Sequence, residues 1–430
     1  MSGTMDRVGK SRLFLGSAIL SALAVLIGTT AVEAGLNHLP STYGILAEDI
    51  GRAGCSASGL PNPAACYHNP AALADIMHTQ CAVGYLYARP DFRGGLRNQE
   101  RGFQTANQVT SLCMALDLGR LFLKDYPLAM GIDMLFDDNF RTMITFRDWR
   151  DPRGRFLRYG ISRFVLINSL GVRVFEGVNI GAGYILATAS SVLIKQNVSI
   201  SGATSDEQIE QKAKPRPALI IGVQFHRGAF RAGLVFREKM VETIDPSASD
   251  TSVILFNDIV FRRYDTYSRF KDAYIPRHLS LGIEFPLTPS VSMGLQADWL
   301  NWSQFMDEIS SCDDARRDIH LRTKNIVVPR FAAVIKPSED WEIRAGYAFE
   351  PSPFTALGCR DNLVLDNNRH RFTVGAGVTL YPALLSNPIT IDAAFLWLHL
   401  EERWEETIDG QSLHSEGDLL GLSASITLQF

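Results

Sequence analysis

Hydrophobic and polar residues alternate along most of the chain, and the pattern is cleanest at its end. Leu420, Leu422, Ala424, Ile426, Leu428 and Phe430 interleave with Gly421, Ser423, Ser425, Thr427 and Gln429. Successive side chains of a strand face opposite sides, so this segment reads as a strand with one apolar face and one small polar face. The same period recurs upstream at Val83, Tyr85 and Tyr87, at Leu112, Met114 and Leu116, and at Met130, Ile132, Met134 and Phe136. It returns at Val178, Ile180, Ala182 and Tyr184, at Leu279, Leu281 and Ile283, and at Phe372, Val374, Ala376 and Val378. Opposite these rows stand Gly, Ser and Thr mixed with full charges such as Arg231, Glu284, Asp298, Glu342 and Arg344. The stretch 161–175 is harder to phase.

Alternation alone fits a soluble sandwich as well as a membrane barrel. Connections and aromatic positions separate the two. Pro286-Leu287-Thr288-Pro289 and Pro337-Ser338-Glu339-Asp340 are tight turns, whereas 137–155, 301–322 and 351–368 are long and polar. Short turns on one side and long loops on the other are the outer-membrane rule, as are aromatics gathered near segment ends. Tyr85 and Tyr87, Trp299 and Trp302, Trp341 and Tyr347, and Phe395 and Trp397 follow that placement. The count comes to about fifteen candidate strands. Single-chain barrels usually have an even number, so the segment Thr251 to Arg262 is assigned to loop and about fourteen strands are expected. The fold class expected is all-β: a transmembrane antiparallel β-barrel with an N-terminal segment plugging its lumen.

The first 34 residues carry Arg7, Lys10 and Arg12, then an apolar run, then small residues ending at Ala34. That is a secretory signal pattern, and it places residues 35–430 beyond the cytoplasm. No later run of 18 or more apolar residues exists to make a helical span. The interval 35–78 is crowded with Gly and Pro and is not strand-like. Within it, Asn69-Pro70 should open one short helix over Ala71 to Ile76. The domain plan is therefore signal peptide 1–34, hatch 35–78 and barrel 79–430.

Composition narrows the chemistry. The net charge of −4 gives no reason to expect nucleic acid. Six cysteines fall after the signal segment, in a compartment that permits disulfides. Cys55 with Cys66, and Cys312 with Cys359, are the candidate pairs; Cys81 and Cys113 sit in strands. There is no Cys-x-x-Cys and no pair of histidines at ligand spacing, so no metal or cofactor is expected. A Gly-x-Ser-x-Gly elbow is also missing, and no enzyme activity is expected.

Four segments resemble the FadL-type outer-membrane transporters of long-chain fatty acids and hydrocarbons. Asn69-Pro70-Ala71-Ala72-Leu73-Ala74 is similar to that family's hatch motif, with Ala72 where glycine is commoner. Asp298-Trp299-Leu300-Asn301-Trp302-Ser303-Gln304-Phe305 resembles its strand ending in Trp-Ser-x-Phe. Ile343-Arg344-Ala345-Gly346-Tyr347 resembles its Arg-x-Gly-Tyr strand, which runs into a proline-rich loop. Asp366-Asn367-Asn368-Arg369-His370 resembles its Asp-x-x-Arg stretch. The resemblance implies a monomeric fourteen-stranded barrel in the bacterial outer membrane, passive uptake of a hydrophobic ligand, and release by hatch movement.

These readings nominate residues. Asn69, Pro70 and Ala71 are the hatch and gating candidates, with a plain turn cap as the alternative. Trp302 belongs either to the aromatic girdle or to the ligand path. Asp366, Arg369 and His370 are expected to hold a lumen or loop salt bridge, since charges within membranes usually pair. Arg344 or Arg369 could instead grip a carboxylate head group. The expected partners are a hydrophobic small molecule, outer-membrane lipid, and the barrel-assembly machinery, through the last strand ending in Phe430. The competing function is a structural or adhesin-like barrel whose plug never moves.

Overall fold

The computed structural model describes residues 43–430 except 97–100, 104–105, 123–125, 138–144, 149–155, 159–164, 188–190, 201–202, 215–216, 245–249, 257–258, 267–269, 306–319, 359–361, 365–366, 384–386 and 407–411. The signal segment and the candidates Asp366, Cys312 and Cys359 lie outside the described residues.

Fourteen strands form the wall: β1 Gln80–Leu96, β2 Asn107–Asp117, β3 Leu128–Asp137, β4 Val165–Phe175, β5 Val178–Ala187, β6 Ala218–Arg227 and β7 Phe230–Arg237 make the first half. The second half is β8 Arg277–Thr288, β9 Val291–Asn301, β10 Ile326–Ile335, β11 Trp341–Glu350, β12 Arg369–Leu380, β13 Ile389–Glu406 and β14 Ser412–Gln429. Each pairs antiparallel with the next. The ring closes where β14 meets β1, in register from Gln80 opposite Gln429 to Leu96 opposite Leu413. A closed sheet has no unpaired edge, as a structure spanning lipid requires, and the sandwich reading falls away. The segment Thr251 to Arg262 does form strands, but they pair with neighbours inside a long excursion and take no part in the wall. The count of fourteen therefore stands, and the stretch that resisted phasing enters the wall at Val165.

The outer surface explains the apolar rows. Along β6, Leu219, Ile221, Val223 and Phe225 stay 42–47% exposed, while Ala218, Ile220, Gly222 and Gln224 between them are buried. A band of such side chains right round a closed wall is far larger than the apolar patches soluble monomers show, and it suits lipid tails. The C-terminal strand repeats this, with Leu420, Leu422 and Ile426 outward.

Candidate functional site: a plug in the barrel lumen

Residues 43–76 lie inside the wall, nearly all of them buried. They form α1 Ala47–Gly51, α2 Ala65–His68 and a 3-10 helix at Pro70–Asp75. Between them the chain reverses on Gly54 and Gly59, whose φ angles of +72° and +90° suit glycine. Asn69 stands in front of Pro70 and caps the 3-10 helix, accepting from the Ala71 amide at 3.1 Å. The short helix thus forms where Asn-Pro placed it. Asn69 does more than cap: its Nδ2 donates to Ala57 O at 2.8 Å and to Val223 O on β6 at 3.3 Å. One fully buried side chain ties the helix, the rest of the plug and the wall together.

The wall receives this plug on glycines. A methyl group on Gly171, Gly181 or Gly222 of β4 to β6 would overlap Pro70 or Asn69. One on Gly282 would come within 2.6 Å of the Ser58 nitrogen, and one on Gly346 within 2.5 Å of the Arg52 carbonyl carbon. These glycines of the polar rows are therefore positions where the plug presses on the wall, whereas Gly183, Gly377 and Gly421 face neighbouring wall residues. Their occurrence opposite the apolar rows is visible in the sequence; their purpose appears only when the plug is in place.

Polar side chains fasten what the glycines admit. On β4 to β6, Asn179 and Arg173 hold Asp75 at 2.8 and 2.7 Å, and Gln224 donates to Ser58 O and Gly59 O. Across the lumen, Arg52 of the plug pairs with Glu284 on β8, which Arg231 also contacts at 2.7 Å. Arg330 donates to Ala53 O at 2.7 Å, and Arg237 donates to Tyr67 O and His68 O while lying over the Tyr67 ring. Gln296 accepts from the amides of Ser56 and Ala57.

Towards the short-turn end, plug and wall border an open cavity of about 450 Å³ in which the charged Glu48, Arg52, Arg231, Glu284 and Glu342 mix with Leu60, Pro286 and Val334. Towards the long loops the lumen has two unlike sides. Val109, Leu135, Ile167, Ile185, Ile220 and Val235 on β2 to β7 join Leu396, Leu398 and Leu400 on β13 in one buried apolar cluster with plug residues Tyr43 and Ile45. The facing arc, β8 to β12, carries His278, Asp298, Arg330, Glu350, Arg369 and Arg371, all inside the lumen. Arg330 pairs with Asp298 and Arg369 with Glu350, each at 2.5 Å. Arg371 is buried, and its Nε and Nη1 have no hydrogen-bond partner among the described residues.

The plug's own acids and thiols feel this enclosure. Burial pushes the Asp49 carboxyl up, but His68, the Leu46 amide and Arg52 more than offset it and hold the group below the usual range. Burial pushes the Cys55 thiol up to about 12 and the Cys66 thiol well above its ordinary value. Both thiols are therefore unreactive while the plug is seated.

Several nominated residues sit elsewhere than expected. Cys55 and Cys66 are not bridged: each is a free buried thiol. Cys66 donates to Ile167 O on β4, while Cys55 lies beside Gly294 on β9, because the plug winds around the lumen between them. Arg344 is already engaged by Glu342 and Asp392 at 2.6 Å each, beneath α1. His370 faces outward. Its Nε2 meets Glu401 at 2.7 Å, its Nδ1 meets the Tyr347 hydroxyl at 2.9 Å, and it stacks among Tyr347, Phe372 and His399. Of the expected lumen or loop salt bridges, Arg369 makes one inside the lumen with Glu350, and His370 pairs with Glu401 on the outer face. Trp302 is buried in a 3-10 turn after β9 and packs on Phe305, which packs on Phe354; it is not part of the outer girdle. The residues that sequence reasoning missed are the wall glycines, Gln224, Gln296 and Arg371.

One constellation resembles hydrolase chemistry. Ser280 Oγ lies 3.1 Å from His278 Nε2, and Asp298 lies 3.4 Å from the same nitrogen. A relay needs the nucleophile and the carboxylate on opposite ring nitrogens, so this arrangement is a hydrogen-bonded cluster.

The profile of the outer membrane protein transport protein family (OMPP1/FadL/TodX) matches residues 43–423. The alkane uptake protein A of Marinobacter nauticus is 22% identical over 95% of this chain and 97% of its own length. Among solved structures, a FadL homologue from Pseudomonas aeruginosa is 17% identical, superposes with a TM-score of 0.61, and is covered over 98% of its length by 93% of this chain. The toluene transporter TodX of Pseudomonas putida is 12% identical with a TM-score of 0.58, over 90% of this chain and 99% of its own.

Proposed function

The chain belongs to the OMPP1/FadL/TodX family of outer-membrane transport proteins, and from that premise we propose a passive channel for hydrophobic compounds whose plug is a movable hatch. The observation that carries the reading is the buried apolar arc on β13 and on β2 to β7, continuous with Tyr43 and Ile45 of the hatch. A greasy molecule gains nothing from a water-filled pore, but removing its surface from water is worth about 25 cal/mol per Å². An apolar arc leading from the long-loop side down to the hatch supplies that environment. The open cavity under the hatch, with Arg52, Arg231, Glu284 and Glu342 in its lining, is a poorer host, so the ligand is held above it until the hatch moves.

The charged arc gives the chamber a second capacity. A purely hydrocarbon ligand would use only the apolar side, as suits a relative named for alkane uptake. An amphiphile would lay its chain there and turn its head group to Arg371, which has an N–H to offer a carboxylate from either Nε or Nη1. With the short turns on the periplasmic side, capture occurs outside and the hatch guards the inner end. The pairing of the last strand with the first, up to Phe430, fits a barrel completed in the outer membrane.

Uptake of labelled dodecane, toluene and oleate, compared between a deletion strain and its complemented parent, tests this. Uptake of at least one ligand should fall on deletion and return on complementation. Unchanged uptake of all three would leave a permanently plugged barrel as the better reading. An Arg371→Met variant should reduce oleate uptake and spare dodecane; equal effects on both would remove the head-group role.

A further inference from the structure

Wall charges that grip the plug also have partners within the wall. Arg330 donates to Ala53 O and pairs with Asp298 on β9. Arg237 donates to Tyr67 O and His68 O, and also to Ser280 Oγ on β8. Arg173 reaches both Asp75 of the plug and Asn179 on β5. Glu284 is their acidic counterpart. Its Oε2 takes Arg52 of the plug, and its Oε1 accepts from Arg231 Nη2 at 2.7 Å. Arg231 on β7 and Glu284 on β8 are register partners, so this second pair belongs to the wall and does not depend on the plug. Glu284 and Arg52 are almost wholly buried, whereas Arg231 is partly exposed. All three line the open cavity at the short-turn end, which gives Arg52 an aqueous space to enter when it lets go.

We propose that Arg231 is the exchange partner that lets the hatch go: it keeps Glu284 neutralised as Arg52 leaves, and so makes opening easier. This rests on the hatch reading above. Two cations on one carboxylate repel each other and divide its attraction, so Arg231 weakens the hold of Arg52 while the hatch is seated. Once Arg52 has left, Arg231 remains, and Glu284 is spared the cost of a buried charge stripped of its partner. Both effects favour the open state, and both vanish with Arg231. A residue that merely braced Glu284 for Arg52 would act with the opposite sign, because its loss would loosen the hatch.

The hatch carries its own reporter. Cys66 is a buried free thiol seated on β3 and β4, and a maleimide reaches it only when the hatch lifts. Its labelling is followed by peptide mass spectrometry on the full chain in proteoliposomes, with and without dodecane. Arg231→Met should slow labelling about tenfold and slow dodecane uptake with it, while Arg231→Lys should keep most of the parent rate. Arg231→Gln carries the same expectation should the methionine variant not fold. Glu284→Gln has no charge to strand and should label at least as fast as the parent, and adding Arg231→Met to it should change nothing. Faster or unchanged labelling in Arg231→Met and Arg231→Gln, with dodecane still accelerating it, would overturn the exchange and leave the movable hatch intact. A slowing by Arg231→Met that persists beside Glu284→Gln would do the same. No labelling in any variant, dodecane included, would overturn both.

Discussion

The plug meets its wall in two different ways. Against β4 to β6 it fits chiefly by shape: Asn69 and Pro70 press on Gly171, Gly181 and Gly222, amides join plug to wall, and charge enters mainly where Arg173 holds Asp75. Against β7 to β12 glycines such as Gly282 and Gly346 also admit the plug, but it is fastened there largely by charge, through Arg52 on Glu284 and through Arg237 and Arg330 on plug carbonyls. A contact made of shape fails abruptly when volume is added, because packed backbone has nowhere to go. A contact made of charge can be weakened by degrees, through protonation, salt or removal of one partner. The first side is suited to act as a fixed stop and the second as the adjustable fastening.

The largest effect should come from filling the shape-fitted side. Gly222→Val places a branched side chain where Asn69 Oδ1 and Pro70 already stand, and the plug should not seat. Conductance in planar bilayers and sensitivity to a bulky antibiotic should both rise several-fold with surface abundance preserved. Gly222→Ala should show a milder form, with about 1–3 kcal/mol of overpacking. A tightly closed Gly222→Val channel would mean that the plug does not depend on this seat.

On the charged side, Arg52→Ala removes one partner of a buried pair. Such losses cost about 3–5 kcal/mol when the remaining charge is stranded, but Arg231 still holds Glu284, so the outcome should fall at or below the lower end. Protease cleavage of the plug in native membranes is the measurement. Faster cleavage than in the parent is expected, with the barrel still folded by heat-modifiable gel mobility. Asn69→Ala should be smaller again, about 0.5–2 kcal/mol for the cap. It should lower uptake without lowering surface abundance; equal loss of both would make Asn69 a folding residue alone.

Much of the wall was legible because a strand's period of two assigns faces without knowledge of neighbours. The same rule held information that motif matching overrode. Phe372 and Val374 face out, so His370 had to face out as well, and Arg369 and Arg371 had to face in. Parity says nothing about depth. It could not show that Arg344 lies under α1 with Glu342 and Asp392, whereas Arg371 lies above the plug with donors to spare. The hatch motif marked its own helix correctly, since capping by Asn before Pro is local chemistry. The course of the remaining plug is set by long-range contacts, which is why two cysteines eleven positions apart reach β4 and β9 respectively.

The central claim is that passage requires the plug to leave its seat. Gly131 on β3 offers the most direct test, because a Cβ built there stands 3.0 Å from Cys66 Cβ, so that parting the two by roughly half an ångström or more reaches the spacing of a disulfide. In a Gly131→Cys chain with Cys55, Cys81 and Cys113 changed to Ser, oxidation should weld plug to wall, with the crosslink verified by mass spectrometry. Uptake of labelled dodecane should then stop and should return on reduction. Uptake continuing at the reduced rate through a fully crosslinked protein would contradict the account.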